Sequence, residues 1–252
     1  MRVFFALLGY LPHFIWLAIR LIPFHFYRKS HTEKESYIRA YGILKEHCHV
    51  MMRALKLKPH VSGQENIPKD ENVVFIGNHQ GIFDVIMVLA YVKGPTLFIA
   101  KEELKKFPVY GKWIENMGSL FLDRMDAREG LRVINEAAQR IKKDDMDGVI
   151  YPEGTRSRSN NMAEFQKGSF KLAQKAGVRV VPFAVEDTFK VLESGGINLG
   201  IPVYLNFLPP VDVTNLTKEE GKVIHHKVQQ MVQDELNKMR EERGFNIQES
   251  RK

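Results

Sequence analysis

From Pro68 onward the chain alternates short apolar runs with segments whose apolar residues return every three or four positions, and few architectures accept that alternation. The runs fall at 73–77, 96–99, 119–122, 148–151, 178–185 and 202–208, each of strand length. Between them, residues 127–143 set Leu131, Ile134, Ala138 and Ile141 on one helical face, with Asp126 as N-cap and Glu129 three positions later. Another helix begins near Lys167 and closes at Gly177. Thr217 to Glu220 form a capping box before a long helix striped by Ile224, Val228, Met231, Leu236 and Met239 and ended by Gly244. This order predicts an α/β fold, a mostly parallel sheet flanked by helices.

The N-terminus follows another pattern. Val3 to Ile19 carries no formally charged residue, although Pro12 and His13 interrupt it, and Pro23 is expected to end any helix soon after Arg20. Seventeen residues is the short limit for crossing a bilayer, so a tilted span and an interfacial anchor both fit. No small-x-small cleavage site follows, which disfavours a signal peptide. Residues 33–56 form a second helix, with Tyr37, Tyr41, Leu44, Cys48, Met51 and Leu55 on one stripe and Lys34, Arg39, Lys45 and Arg53 elsewhere. That stripe packs on the globular domain, or the helical pair rests with its basic residues on anionic membrane lipid, and the two placements are compatible. The reading divides the chain into a two-helix membrane-associating segment at 1–58, a main domain at 59–245 and a loose polar tail at 246–252.

Composition narrows the chemistry. At 252 residues and 44% hydrophobic, the chain can bury about 70 to 75% of the surface it exposes when unfolded. A single cysteine, Cys48, excludes an internal disulfide framework and a cysteine-based zinc site. The formal charge of +7 favours anionic partners. No Gly-x-Ser-x-Gly elbow, His-Glu-x-x-His, Gly-x4-Gly-Lys-Ser/Thr or Gly-x-Gly-x-x-Gly occurs, which argues against serine hydrolases, zinc proteases and nucleotide-driven enzymes.

Four polar blocks end predicted strands, where α/β proteins assemble sites from loops. The first is Asn78-His79-Gln80-Gly81-Ile82-Phe83-Asp84. On one helix, five positions turn two side chains about 140° apart, so His79 and Asp84 could not meet. With His79 in a loop and a helix beginning near Gly81, the carboxylate can turn back to the ring and orient it as a base. The second block is Lys101-Glu102-Glu103-Leu104, which alone reads as a solvated helix start. The third, Phe121-Leu122-Asp123-Arg124, brings an arginine to a strand end, where a surface ion pair is the plainer reading. The fourth is Tyr151-Pro152-Glu153-Gly154-Thr155-Arg156-Ser157. Gly154 permits positive φ or close approach, and Thr155 and Arg156 offer a hydroxyl and a planar fork to an anion.

In this order the blocks resemble the 1-acylglycerol-3-phosphate acyltransferases of the glycerolipid acyltransferase family. Its Asn-His-x4-Asp motif is met by Asn78, His79 and Asp84, its Phe-Leu-Asp-Arg strand end by Phe121 to Arg124, its aromatic-Pro-Glu-Gly-Thr-Arg run by Tyr151 to Arg156, and its Val-Pro pair by Val181 and Pro182. The likeness spans about residues 60–215; Gly81 stands where serine is frequent and Tyr151 where phenylalanine is usual. The resemblance implies acyl transfer from a thioester, on acyl-carrier protein or coenzyme A, to the 2-hydroxyl of lysophosphatidic acid, giving phosphatidic acid. His79 is then the general base and Asp84 its orienting carboxylate. Arg124 and Arg156, with Lys101 as a third, are expected on the acceptor phosphate, assisted by Thr155 and Gly154, with Glu153 bracing the loop. No metal, no cofactor beyond the thioester co-substrate, no covalent acyl-enzyme on Cys48 and no nucleic-acid partner are expected. The active domain is expected on the cytoplasmic face of a membrane. Another lysophospholipid or glycerol-3-phosphate as acceptor, or a membrane-bound esterase, are the alternatives.

Overall fold

A computed structural model describes residues 2–123 and 127–244. Seven strands, β1 (Lys58–Ser62), β2 (Val73–Gly77), β3 (Thr96–Lys101), β4 (Leu120–Leu122), β5 (Asp147–Ile150), β6 (Arg179–Glu186) and β7 (Pro202–Phe207), form one sheet in the order β1-β7-β6-β2-β5-β3-β4. From β6 to β4 all neighbours are parallel; β7 returns antiparallel to β6 and pairs β1 in parallel. Around the sheet lie α1 (Arg2–Ile19), α2 (Leu21–Ser30), α3 (Glu33–Ala54), α4 (Ile82–Tyr91), α5 (Pro108–Asn116), α6 (Ala127–Asp144), α7 (Lys171–Ala176) and α8 (Glu220–Glu241).

β2 is buried on both sides, and its alternation divides the core. Val73 and Phe75 join the cluster built with α3, α4 and α5, while Val74 and Ile76 join the one built with α6, α7 and α8. The helices therefore cover both faces, as the strand and helix pattern requires. The expected caps form: Gly177 ends α7 at φ 67°, and Thr217 and Glu220 bond reciprocally at the entry to α8. Asp126, the expected N-cap of α6, and the tail 246–252 lie outside the described residues.

Two features depart from the sequence reading. β1 is an added edge strand, absent from the predicted set because it carries no apolar run and includes Pro59, which an edge tolerates. The apolar N-terminus is not one helix ended by Pro23. Only Arg20 separates α1 from α2, and Pro23 sits in the first turn of α2, where its missing N–H loses no helical bond. α3 packs into the core, one of the placements its stripe allowed. Capped reciprocally by Thr32 and Glu35, it buries Tyr37, Ala40, Tyr41, Leu44, Cys48 and Met52, and its Lys45 Nζ donates to Val92 O at 2.5 Å.

α1 and α2 have one bound face and one open face. Leu17 and Phe24 are buried, and Trp113 Nε1 donates to Leu17 O at 3.0 Å. Opposite them Phe4, Leu8, Leu11, Ile15, Ile19, Ile22 and Phe26 lie exposed in a single stripe.

Asp147 starts β5 and accepts from Val73 N at 2.9 Å; burial pushes its carboxyl up to about 6. A carboxyl with a folded pKa above its unfolded value near 3.9 holds its proton more tightly in the folded chain. Its contribution to stability is therefore present below about pH 4 and lost as pH rises through 6. Asp147→Asn keeps an acceptor for Val73. It is expected to stabilise the protein by about 1 to 2 kcal/mol at pH 8, allowing for the part of the side chain that water reaches, and by far less at pH 4. Denaturant unfolding at the two pH values measures the difference; destabilisation at pH 8 would refute a burdensome charge.

Candidate active site

The four polar blocks follow the C-terminal ends of β2, β3, β4 and β5, all on one edge of the parallel sheet. At the centre, Asn78 extends the β2–β6 pairing through its side chain: Oδ1 accepts from Val185 N at 2.8 Å and Nδ2 donates to Val185 O at 2.9 Å. The backbone can then leave the sheet. His79 and Gln80 are clamped to the loop after β5: His79 N donates to Glu153 Oε1 at 2.6 Å, Ser157 N to His79 O at 2.8 Å and Arg158 N to Gln80 O at 3.1 Å.

Helix α4 begins at Ile82, so Asp84 lies in its first turn and faces back to the histidine, as the spacing requires. His79 Nδ1 lies 2.7 Å from Asp84 Oδ2. That same oxygen accepts from Gly81 N at 2.9 Å, and Oδ1 accepts a short hydrogen bond from Thr188 Oγ1. Three donors and the positive end of α4 thus hold a carboxylate that no water reaches. Because an ionised carboxylate only accepts, Nδ1 carries the ring proton and Nε2 is left with its lone pair for a substrate. The imidazole lies flat on Tyr151, with ring centroids 4.1 Å apart at 20°.

Glu153 bridges two stretches of backbone. Its second oxygen accepts from Ala163 N at 2.7 Å, the side chain is buried, and burial holds its carboxyl above the usual range. Both oxygens are committed to backbone N–H groups, so the residue serves the loop rather than a phosphate. Gly154 takes φ 72°, where a side chain would be strained, and Thr155 is exposed beside it. Arg156 is half-buried and donates from Nη1 to Glu193 Oε1 at 3.1 Å. Lys101, at the end of β3, pairs with Glu103 at 2.7 Å with both side chains more than half exposed, so the pair itself contributes little. β5 lies between β2 and β3, which sets the ends of those strands about 10 Å apart. Arg124 lies outside the described residues.

The structure adds residues the sequence did not single out. Thr188 and Glu193 both follow β6, in a stretch with no periodic pattern and no motif. Behind Thr188, Glu186 receives Gln80 Nε2 at 3.1 Å and both Nε and Nη2 of Arg240 at 2.9 Å, while Arg243 Nη1 reaches Asp187 at 2.7 Å. The end of α8 thereby ties down the strand end that carries Thr188.

A histidine bonded through Nδ1 to a buried carboxylate thus stands at the C-terminal edge of the parallel strands of an α/β sheet. The Acyltransferase family model matches residues 58–186, and the chain belongs to that family. The 1-acyl-sn-glycerol-3-phosphate acyltransferase of Saccharomyces cerevisiae is 32% identical over 195 residues, covering 76% of this chain and 64% of that protein. The enzyme of that name from Salmonella typhimurium is 32% identical over 149 residues, covering 59% and 60%. The chain thus spans 60 to 64% of the length of these relatives. The fold is shared with the crystal structure of the 1-acyl-sn-glycerophosphate (LPA) acyltransferase PlsC from Thermotoga maritima, at a TM-score of 0.75 and 24% identity over 94% of this chain and 96% of that one.

Proposed function

We propose that the protein transfers an acyl group from a thioester of acyl-carrier protein or coenzyme A to the 2-hydroxyl of 1-acylglycerol-3-phosphate, giving phosphatidic acid. The observation that carries this reading is the hydrogen bond from His79 Nδ1 to a carboxylate fixed by Gly81 and Thr188, which prepares Nε2 to take a hydroxyl proton. The names of the relatives supply the acceptor. As the alcohol oxygen attacks the thioester carbonyl carbon, its proton passes to Nε2 and Asp84 steadies the imidazolium. When the tetrahedral intermediate collapses, the C–S bond breaks and the proton goes to the departing thiolate. No enzyme nucleophile takes part: Cys48 is buried in α3, and burial pushes its thiol up to about 12.

The acceptor phosphate meets Arg156 first among the expected cations, because the adjoining Ser157 is bonded to His79 itself. Lys101, from the farther end of β3, and Arg124 serve the same phosphate, and the reaction needs no cofactor or metal. Purified protein assayed with a matrix of acceptors and donors tests this reading. Phosphatidic acid from 1-acylglycerol-3-phosphate is the expected product. Turnover only with glycerol-3-phosphate or another lysophospholipid would move the acceptor, and free fatty acid without acylated product would make the protein an esterase.

The same reading puts the protein on the cytoplasmic face of a membrane. The helical stretch Val3–Ser30 is long and apolar enough to cross a bilayer by length and composition. Its packing along α3 and α5 instead favours lying in the interface, with the exposed stripe in the acyl region. The acceptor then reaches His79 without leaving the bilayer, where each CH₂ drawn into water costs about 0.8 kcal/mol. Because α3 is part of the core, the test is made on the open face. The variant Leu11→Glu, Ile15→Glu, Ile22→Glu is expected to stay folded and to lose vesicle binding by about 100-fold or more in flotation assays. Undiminished binding would refute attachment through this face.

A further inference from the structure

Glu193 stands outside every sequence motif, and its side chain is 7% exposed. Its Oε1 accepts from Ile82 N at 2.8 Å, at the first residue of α4, and from Arg156 Nη1 at 3.1 Å. Its Oε2 is buried and has no hydrogen-bond partner among the described residues. The carboxylate lies directly over Gly81: a Cβ added there would stand 2.6 Å from Oε2 and 2.9 Å from Cδ. Gly81 is extended at φ −160°, a backbone any residue adopts. What demands glycine is therefore the volume taken by Glu193, which couples Gly81 to a residue more than 100 positions away.

Burying a carboxylate costs several kcal/mol unless its partners offset it, and this one leaves an oxygen unmatched. Its partners show what the site gains. One is the start of the helix that carries Asp84. The other is a guanidinium with five N–H donors, of which Glu193 holds one, on the Nη1 edge, while the side chain stays 37% exposed. A fork fixed on one edge presents the others in a set direction, which suits a phosphate. Resting on the acyl-transfer reading above, we propose that Glu193 is a positioning residue that aims Arg156 at the acceptor phosphate, and that Gly81 is the space that lets it sit beside the base.

The test separates aim from charge. If the carboxylate merely neutralised Arg156, removing it would tighten the acceptor. If it aims the guanidinium, Glu193→Ala raises the KM for 1-acylglycerol-3-phosphate about tenfold, with kcat and the donor KM within about twofold. Glu193→Gln keeps the accepting oxygen and is expected to recover most of the loss. In an Arg156→Ala background, removing Glu193 changes KM by no more than about twofold. A KM that is unchanged or lower in Glu193→Ala, or a full additional loss on top of Arg156→Ala, would overturn the proposal.

Should Glu193→Ala fail to fold, Gly81→Ala reads the same coupling, because its Cβ displaces the carboxylate and reproduces the KM rise; an unchanged KM there overturns the proposal. The same variants are titrated with 1-acylglycerol-3-phosphate in detergent micelles without donor, giving Kd without turnover. A wild type that binds the acceptor and yields no product would remove the acyl-transfer reading and leave the Glu193 comparison to be decided in Kd. A wild type that turns over while Glu193→Ala and Glu193→Gln both match it would remove the proposal and leave the reaction.

Discussion

His79→Ala is expected to lower kcat by about 10³-fold or more while moving the KM of either substrate little. On the proposed mechanism Nε2 of the ring takes the hydroxyl proton, and the partners of the ring lie on the protein side: Asp84 at Nδ1 and Tyr151 against its face. The clamp on this loop runs through the backbone N and O of residue 79, which alanine keeps. The melting temperature should therefore shift by only a few degrees, so lost rate can be separated from lost fold. Initial rates at saturating donor measure the effect, and retention of more than about a tenth of wild-type turnover would remove His79 from the base role.

Asp84→Asn carries the second large effect, and the structure sets its size. Both His79 and Gly81 donate to Oδ2, and Thr188 donates to Oδ1. An asparagine oxygen in the Oδ2 position satisfies the first two donors, and its amide then faces the Thr188 hydroxyl. That hydroxyl can turn to accept, because Gln80 Oε1 lies 3.3 Å away to receive its proton. The histidine tautomer survives and only the charge opposite the imidazolium is lost. We expect kcat to fall by about 10² to 10³, less than the roughly 10⁴ that accompanies a wrong tautomer in a serine-protease triad. Asp84→Ala strands three donors at about 1 to 3 kcal/mol each and should cost both rate and stability. If Asn falls as far as Ala in kcat at equal stability, the Thr188 turn does not occur.

The parallel core was legible because its strands are buried on both faces and announce themselves as apolar runs. β1 was not, since an edge strand of Lys58, Pro59, His60, Val61 and Ser62 is specified by pairing with β7 and not by its own hydrophobicity. α3 was legible as a helix, while its assignment to membrane or core turned on what covers its stripe, which period alone does not state. In the site, His79, Asp84 and the bracing Glu153 are local patterns at strand ends. Thr188 and Glu193 act through distance in space, 104 and 111 positions from the residues they hold, and only the β2–β6 pairing brings them there. The role of Gly81 was hidden for the same reason: its neighbour, and not its conformation, explains it.

The tie from Arg240 to Glu186 has a consequence for the order in which this protein comes into being. The loop of His79 and Gln80 is held by groups that follow β5 and end β6, and α8 bonds the latter, so this arrangement depends on pairings between remote parts of the chain. On a ribosome, at about 5 to 20 residues per second, α1 and α2 emerge well before Arg240 does. A nascent chain can thus present its apolar stripe to a bilayer while its histidine still lacks the completed surround. On the proposed function, delivery to the surface and ignition of the chemistry become separate events in time, with α8 as the key.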